Sequence, residues 1–397
     1  MLTQFVETTP AVAAPRVYTR PMRLAALCDF AEEHWPSMDL CAAMLLEQAH
    51  SQTQHDIEAT RVCPTFRRRL GRLPGIGRGF WAQNGDRFLN RHWDFPRHVR
   101  RLNDAYDAFH ICDHSYSQLA HALPGERTGI FCHDVDAFRC LTEPECERRP
   151  RWFRWMMRRV LAGLRKAAVV FHTTEEVKRE ILRFGLVDRR KLVHAPLGLA
   201  PEFSANPPTD PAAERVFEAL GGRPFLLHVG SCIPRKRIDF LLRVFIALRG
   251  RFSDLRLVKV GGTWSAEYLA CIERHRLGPA IHHLDGVARA TLAALYHKTN
   301  LLMIPSESEG FGLPAIEGLA CGAPVLVSDL PVFREVGGAA LLYAPPLDLE
   351  AWRDTAARVL AGSPLVPPLE TRRSRARKFS WQEHARIIFD AYRELIA

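Results

Sequence analysis

Short apolar runs recur along the chain between longer polar or amphipathic stretches. The first half contains Leu24–Cys28, Ala108–Cys112, Thr128–Cys132, Ala168–Thr173 and Leu192–Pro196; the second contains Phe225–Val229, Leu255–Val260, Ile281–Leu284, Leu301–Ile304 and Pro324–Val327. Each is followed by a helix-like or loop segment and reads as a strand buried in a parallel sheet. Strands alternating with helices imply βαβ units, so the pattern predicts an α/β protein with a doubly wound sheet in each half.

Between the two sets, Leu199–Ala213 carries Pro201, Pro207, Pro208 and Pro211 with little apolar content, and reads as an interdomain linker with its boundary near residue 210. Phe379–Ala397 places apolar residues at Ile387, Ile388, Ala391, Tyr392 and Leu395, the spacing of an amphipathic terminal helix whose docking site periodicity does not give. Two α/β halves create a cleft, and open parallel sheets bind ligands beyond the carboxyl ends of their strands. Chemistry is therefore sought in the segments that follow the strands.

The richest such segment runs from Ser306 to Val327. Pro314 suits the first position of a helix, Gly322 the residue after it, and Pro324 a stop, so a short helix is defined at both ends. Gly310 and Gly312 just before it let backbone N–H groups approach a ligand, and the helix start adds unpaired donors and partial positive charge, a natural seat for a diphosphate. Glu309 and Glu317 are carboxylate acceptors suited to sugar hydroxyls, although helix capping alone would also put acids here. Upstream, Phe225–Arg237 reads as a strand ending in Gly230, then a turn through Ser231 to Arg235 and Lys236, a fork and a point charge for phosphate oxygens.

Glu309 and Glu317, set in Pro-Ser-x-x-Glu-Gly-Phe-Gly-Leu-Pro-x-x-Glu, resemble the EX7E signature of the retaining GT-B glycosyltransferases of family 4. Gly286-Val287, Leu295-Tyr296 and Pro331–Gly337 with Glu335 fit the surrounding pattern, and Gly230–Arg237 is similar to the family's Gly-Thr-x-x-Pro-Arg-Lys-Asn segment. Arg237 stands where the family often has Asn, and Ser231 where it often has Thr or Arg. The resemblance implies two Rossmann-like domains facing a cleft. Residues 1–210 would read the acceptor, 211–378 would hold the nucleotide sugar, and the helix at 379–397 would cross back onto the first domain.

It also implies site roles. The donor would be bound by Gly230, Ser231, Arg235, Lys236, Val287, Gly310, Phe311, Gly312, Leu313 and Glu317, with Arg235 and Lys236 on the diphosphate and Glu317 on the ribose. Glu309 and His133 would serve as catalytic residues. His133, in Gly129–Asp136, looks like the family histidine beside the donor sugar, able to donate a hydrogen bond to a hydroxyl. No Asp-x-Asp clamp is read in a suitable strand-end setting, so no metal or other cofactor is expected. The implied activity is retaining transfer of a sugar from a nucleoside diphosphate to a hydroxyl of a glycan or lipid-linked acceptor, in surface polysaccharide or glycolipid assembly. A sugar-nucleotide epimerase, a phosphorylase and a non-catalytic nucleotide-sugar-binding protein remain alternatives.

The rest of the first half is less specific. After the first strand, where the family commonly has a glycine-rich loop, stands Asp29 followed by Glu32, Glu33 and His34, which can face the cleft; Ser37 suits the N-cap of the next helix. Asp113 and His114 suggest acid–base chemistry, but neighbours on an extended chain point apart, which argues against a direct relay; Ser115 is read as binding or capping. Glu147–Lys166 reads as a basic amphipathic helix, with Arg151, Arg154, Arg158 and Arg165 on one face. Such a helix can lie on anionic lipid with Trp152 and Trp155 at the interface, or simply pack on the sheet. Arg61–Arg78 reads as a basic loop, either solvated or contacting an acceptor phosphate or lipid head group.

Composition narrows the classes. The 397 residues are 47% apolar and 25% charged, which fits two or three domains with large cores and excludes disordered classes. The formal charge of +10 makes phosphates, anionic lipid or nucleic acid plausible partners. Nucleic acid is not expected, since there is no helix-turn-helix, zinc-ligand spacing or aromatic-basic platform. Ten cysteines without a CxxC pair, no apolar core for a signal peptide and no apolar stretch near the ~20 residues of a membrane span point to a reduced, cytoplasmic chain, with peripheral contact at the inner membrane face as the remaining option.

Overall fold

The computed structural model describes residues 20–33, 35–51, 57–72, 79–206 and 209–397. The readings at His34, Pro74 and Arg78 and at Pro207 and Pro208 lie outside these residues. All ten predicted runs are strands. The first sheet comprises β1 (Met22–Leu27), β2 (Ile57–Val62), β3 (Ala108–Ile111), β4 (Thr128–Cys132), β5 (Val169–His172) and β6 (Leu192–His194), and the second β7 (Phe225–Val229), β8 (Arg256–Val260), β9 (Ile281–Leu284), β10 (Leu301–Ile304), β11 (Val325–Ser328) and β12 (Leu342–Ala344). Their orders are β2-β1-β3-β4-β5-β6 and β12-β11-β10-β7-β8-β9, with every neighbouring pair parallel.

Two of these strands, β2 and β12, lie outside the ten runs read from the hydrophobic pattern, and both are sheet edges. β2 has Glu58, Thr60 and Arg61 exposed between buried Ile57, Ala59 and Val62, and β12 is three residues long. In each sheet the direction of winding reverses once, between β1 and β3 and between β7 and β10. At such switch points the loops diverge and leave a crevice beyond the strand ends.

Two local expectations are corrected. The linker is shorter than its prolines imply, because Pro211 opens the helix Pro211–Leu220, with the Asp210 side chain accepting from the Ala213 amide (2.9 Å). Ser37 is not an N-cap, because the helix Pro36–Ser51 already starts at Pro36. Both follow from one fact: a proline at a helix start loses no hydrogen bond, since that N–H would be unpaired anyway.

The terminal helix Trp381–Ile396 begins at Ser380, whose hydroxyl accepts from the amides of Gln382 and Glu383. Its buried face, including Trp381, His384, Ile388, Phe389 and Tyr392, packs on the first sheet and beside Pro36–Ser51. Tyr392 Oη donates to the Phe109 carbonyl (2.9 Å) and lies 3.0 Å from His110 Nδ1, both on β3. His384 Nδ1 lies 3.0 Å from the Pro196 carbonyl.

Candidate active site

The segments after β7 and β10 meet at the switch point of the second sheet. Gly230 closes β7, with its amide on the Val260 carbonyl (3.0 Å) and its own carbonyl accepting from Lys259 Nζ (2.6 Å). Ser231 follows, half-buried, and the turn Pro234–Lys236 presents Arg235 and Lys236. After β10, the loop from Ser306 is tied to that turn by the Glu307 amide on the Arg235 carbonyl (2.7 Å). Gly312 stands in the left-handed region (φ 85°) at the start of the helix Leu313–Cys321, where a side chain would lie 2.6 Å from the Phe333 ring. Phe311 and Leu313 are buried on either side of it, and Val287 is half-buried in the loop after β9.

Glu309 is the centre of charge. Its Oε1 accepts from Lys236 Nζ (2.6 Å) and Ser306 Oγ (2.7 Å), and its Oε2 lies 3.4 Å from Arg235 Nη1. Burial opposes its ionisation, yet the charges of Lys236 and Arg235 prevail and hold the carboxyl below its ordinary value. Arg235 also reaches the first half, with Nε 2.7 Å from Asp136 Oδ2 and Nη2 3.2 Å from Asp134 Oδ2.

Asp134-Val135-Asp136 is therefore an Asp-x-Asp at a strand end, contrary to the sequence reading. β4 stops at Cys132, which puts both carboxylates on the following turn, facing a guanidinium. Among the described residues no group of three or more His, Cys, Asp or Glu side chains is arranged to hold a metal ion.

His133 lies between Asp134 and the end of β4. Its Nε2 is 2.9 Å from the Cys112 carbonyl, so that nitrogen carries the proton, and burial lowers the ring's pKa and keeps it neutral. Among the described residues, Nδ1 is buried without a partner. The expected donation from His133 to a ligand is corrected accordingly: its one N–H is spent on Cys112, and what remains is an acceptor lone pair.

Asp113 and His114 do touch, at 3.1 Å, because the chain turns at Asp113 into the 3-10 run His114–Ala122 instead of continuing extended. Asp113, not Ser115, is the cap, accepting from the Ser115 amide (3.0 Å). Burial opposes charge on both groups, but each stabilises the other's ionised form, so the pKa of His114 rises and that of Asp113 falls. Asp29, across the switch point of the first sheet, is pushed up to about 9 by burial and by the charge of Asp113. Glu33 is buried and faces Arg91 at 3.5 Å.

The two halves are in tight contact at Gly310. An added Cβ there would lie 1.9 Å from the His133 carbonyl oxygen, while the Gly310 carbonyl accepts from Thr173 Oγ1 (2.7 Å) and Thr174 Oγ1 (3.1 Å). Glu335, after β11, accepts from the amides of Glu175 (2.8 Å) and Glu176 (3.2 Å), which start the helix Glu175–Arg183 beyond β5. Sequence reasoning assigned no role to Asp134, Asp136, Ser306, Thr173 or Thr174. For the two aspartates their position directly after His133 was the available signal; the threonines gave none.

Glu317 stands apart from this ionic group. It is buried one turn into its helix and accepts from Tyr296 Oη (2.9 Å). Burial pushes it up to about 7, with Tyr296 and Arg289 pulling weakly the other way. A carboxyl that binds its proton more tightly folded than unfolded stabilises fully below its unfolded value, and that contribution is lost as pH rises through the folded one. Against Glu317→Gln, the parent is expected to lose roughly 3 kcal/mol more stability between about pH 4.5 and pH 8, read from denaturant unfolding of both proteins.

The model of the glycosyl transferases group 1 matches residues 211–378, and that of glycosyltransferase family 4 matches residues 42–203. O-antigen chain mannosyltransferase B of Escherichia coli is 27% identical over 294 residues, covering 70% of this chain and 72% of that protein. A D-inositol 3-phosphate glycosyltransferase of Saccharomonospora viridis is 36% identical over 190 residues, 43% of each chain. Among solved structures, HepE of Anabaena, in complex with UDP and glucose, superposes with a TM-score of 0.69 at 15% identity, covering 93% of this chain and 99% of that one. Sucrose-phosphate synthase of Thermosynechococcus elongatus gives 0.67 at 18% identity, covering 94% and 99%. Likeness at these identities establishes the fold; the two family models take up the two sheet-bearing halves in turn, and the chain belongs to the GT-B glycosyltransferases of family 4.

Proposed function

We propose that the protein is a retaining glycosyltransferase that moves a sugar from a nucleoside diphosphate to a hydroxyl of a glycan or lipid-linked acceptor, at the cytoplasmic face of the membrane. The observation that carries this reading is the group Arg235, Lys236 and Glu309 at the switch point of the second sheet, beside the backbone of Gly310–Leu313. The donor diphosphate takes the place of carboxylates on Arg235 and Lys236, with the N–H groups of Gly312 and Leu313 as further donors. Glu317 holds the ribose, Gly230, Ser231 and Val287 line the nucleotide, and Glu309 and Phe311 bound the sugar. His133 accepts a hydrogen bond from a sugar hydroxyl through Nδ1. Glu309, held by Ser306 at the edge of the sugar, is not a covalent nucleophile; attack comes from the leaving-group side, and the acceptor proton passes to the departing phosphate oxygen.

Relatives named mannosyltransferases favour a mannosyl donor and a surface-polysaccharide setting. The test is a thermal-shift panel of UDP-, GDP-, ADP- and dTDP-sugars. At a hundred-fold excess over Kd, the matching donor is expected to stabilise the protein by about 2.7 kcal/mol. Lys236→Ala is expected to abolish that shift. Turnover is expected to persist in chelator, because Arg235, Lys236 and the helix start neutralise the leaving diphosphate; loss restored by Mn²⁺ or Mg²⁺ would refute this.

A further inference from the structure

Three segments of the first half that are distant in sequence share one surface. The helix Phe80–Leu89 runs through the single wide turn Asn90–Asp94 into Phe95–Arg100. The basic loop is stapled to it: Asp86 accepts from the amides of Arg69, Leu70 and Gly71 (2.8 to 2.9 Å), and Asn90 pairs with both the amide and the carbonyl of Arg67. The helix Arg151–Lys166 lies on the other side, and burial, then the charges of Arg91 and Arg159, lower the pKa of His92. The His114–Ala122 run lies between the two, with His121 Nε2 2.9 Å from the Arg159 carbonyl.

This surface carries large apolar side chains in water. Phe88 is 47% exposed, Trp93 57%, Trp152 62% and Trp155 64%. Phe88 lies against His92 (ring centroids 4.9 Å), next to Trp93 in sequence, and Trp155 is one helical turn before Arg159 on the helix across the His114–Ala122 run. Arg67, Arg68, Arg72, Arg97, Arg151 and Arg158 are exposed around them. The acids on these segments are engaged: Asp86 with the loop amides and Asp94 with Arg69 (2.7 Å). Indole and phenyl rings among arginines, with little opposing charge, match the boundary between headgroups and acyl chains of an anionic bilayer. A protein partner would call for a shaped apolar seat with matched acids, and the acids on these segments are already engaged.

We propose that this face docks on an anionic lipid bilayer, with Phe88, Trp93, Trp152 and Trp155 entering the interface and the arginines lying on the headgroups. No helix among the described residues is long and apolar enough to span a membrane, so attachment is from one side. The inference rests on the proposed function only in that docking would bring the cleft to a lipid-linked acceptor; the surface itself does not depend on the chemistry.

The test is co-sedimentation of the full chain with vesicles of phosphatidylcholine alone and of equimolar phosphatidylcholine and phosphatidylglycerol. Binding is expected to the anionic vesicles alone and to weaken with salt. The double variant Trp152→Ser/Trp155→Ser is expected to lower the partition coefficient at least about ten-fold, and Arg158→Glu about five-fold or more, while Leu269→Ser, an exposed leucine on the second half, has no effect. Absence of binding to anionic vesicles, or binding that all three tryptophan and arginine changes leave intact, would overturn the assignment. The donor-induced thermal shift, measured without vesicles, separates the two claims: its loss counts against the cleft reading, its persistence without vesicle binding against the docking surface.

Discussion

Gly310→Ala is expected to lower kcat/KM by a hundred-fold or more while leaving both halves folded. The alanine methyl would have to occupy the place of the His133 carbonyl oxygen, 1.9 Å away, with the Asp134 side chain 3.1 Å off on the same side. Backbone cannot yield as a long side chain can, so the loop retreats, taking with it the carbonyl that Thr173 and Thr174 hold. A displacement of about 1 Å between reacting groups costs on the order of a hundred-fold in rate. Circular dichroism and a single thermal transition near the parent's would show that the fold survives. Turnover equal to the parent's would mean that the halves do not meet at Gly310 in the reacting state.

Glu309→Gln is the second large effect. The amide keeps the shape and the Ser306 hydrogen bond but removes the charge that faces Lys236 and Arg235. Arg235 retains Asp134 and Asp136; Lys236 is left without its ion pair and becomes a stronger ligand for diphosphate. The donor KM is therefore expected to stay level or fall, while kcat falls about 10²- to 10³-fold, the usual cost of one lost polar contact to the transition state. A carboxylate acting only as a counter-ion would give the opposite split, with kcat unchanged and the melting temperature lowered. Normal turnover would remove Glu309 from the chemistry.

How far these residues were legible in advance depends on what makes each one visible. The eight interior strands announce themselves because burial on both faces demands apolar runs; of the four edges, β6 and β9 are read as well, whereas β2 is hidden by the exposed Glu58, Thr60 and Arg61 and β12 is only three residues long. Gly310, Gly312, Glu309 and the Arg235-Lys236 pair can be found from sequence because a tight strand-to-helix turn and a phosphate seat constrain neighbouring positions together. The contacts Arg235–Asp134, Arg235–Asp136 and Gly310–Thr173 join residues roughly a hundred or more positions apart, and no local spacing encodes them. The polarity of His133 was likewise hidden, since its donor is consumed by a carbonyl on a neighbouring strand's loop. Ser37 and Pro211 were misplaced for a local reason: a proline can begin a helix as well as interrupt one.

The docking of Trp381–Ile396 on the first sheet bears on the order in which the protein is built. One part of that sheet's covering, including the ring that bonds Phe109 and lies against His110, is supplied by residues some 280 positions later in the chain. On the ribosome, the first half emerges with that strip of β3 and β4 uncovered and stays so while the whole second half is made. At about 5–20 residues per second that is an interval on the order of ten to forty seconds. During it the second half, whose six strands all lie between Phe225 and Ala344, can close its sheet first. The N-terminal half, though synthesised first, is then the last to reach its final packing, and a chaperone that shields apolar sheet surface has its window there.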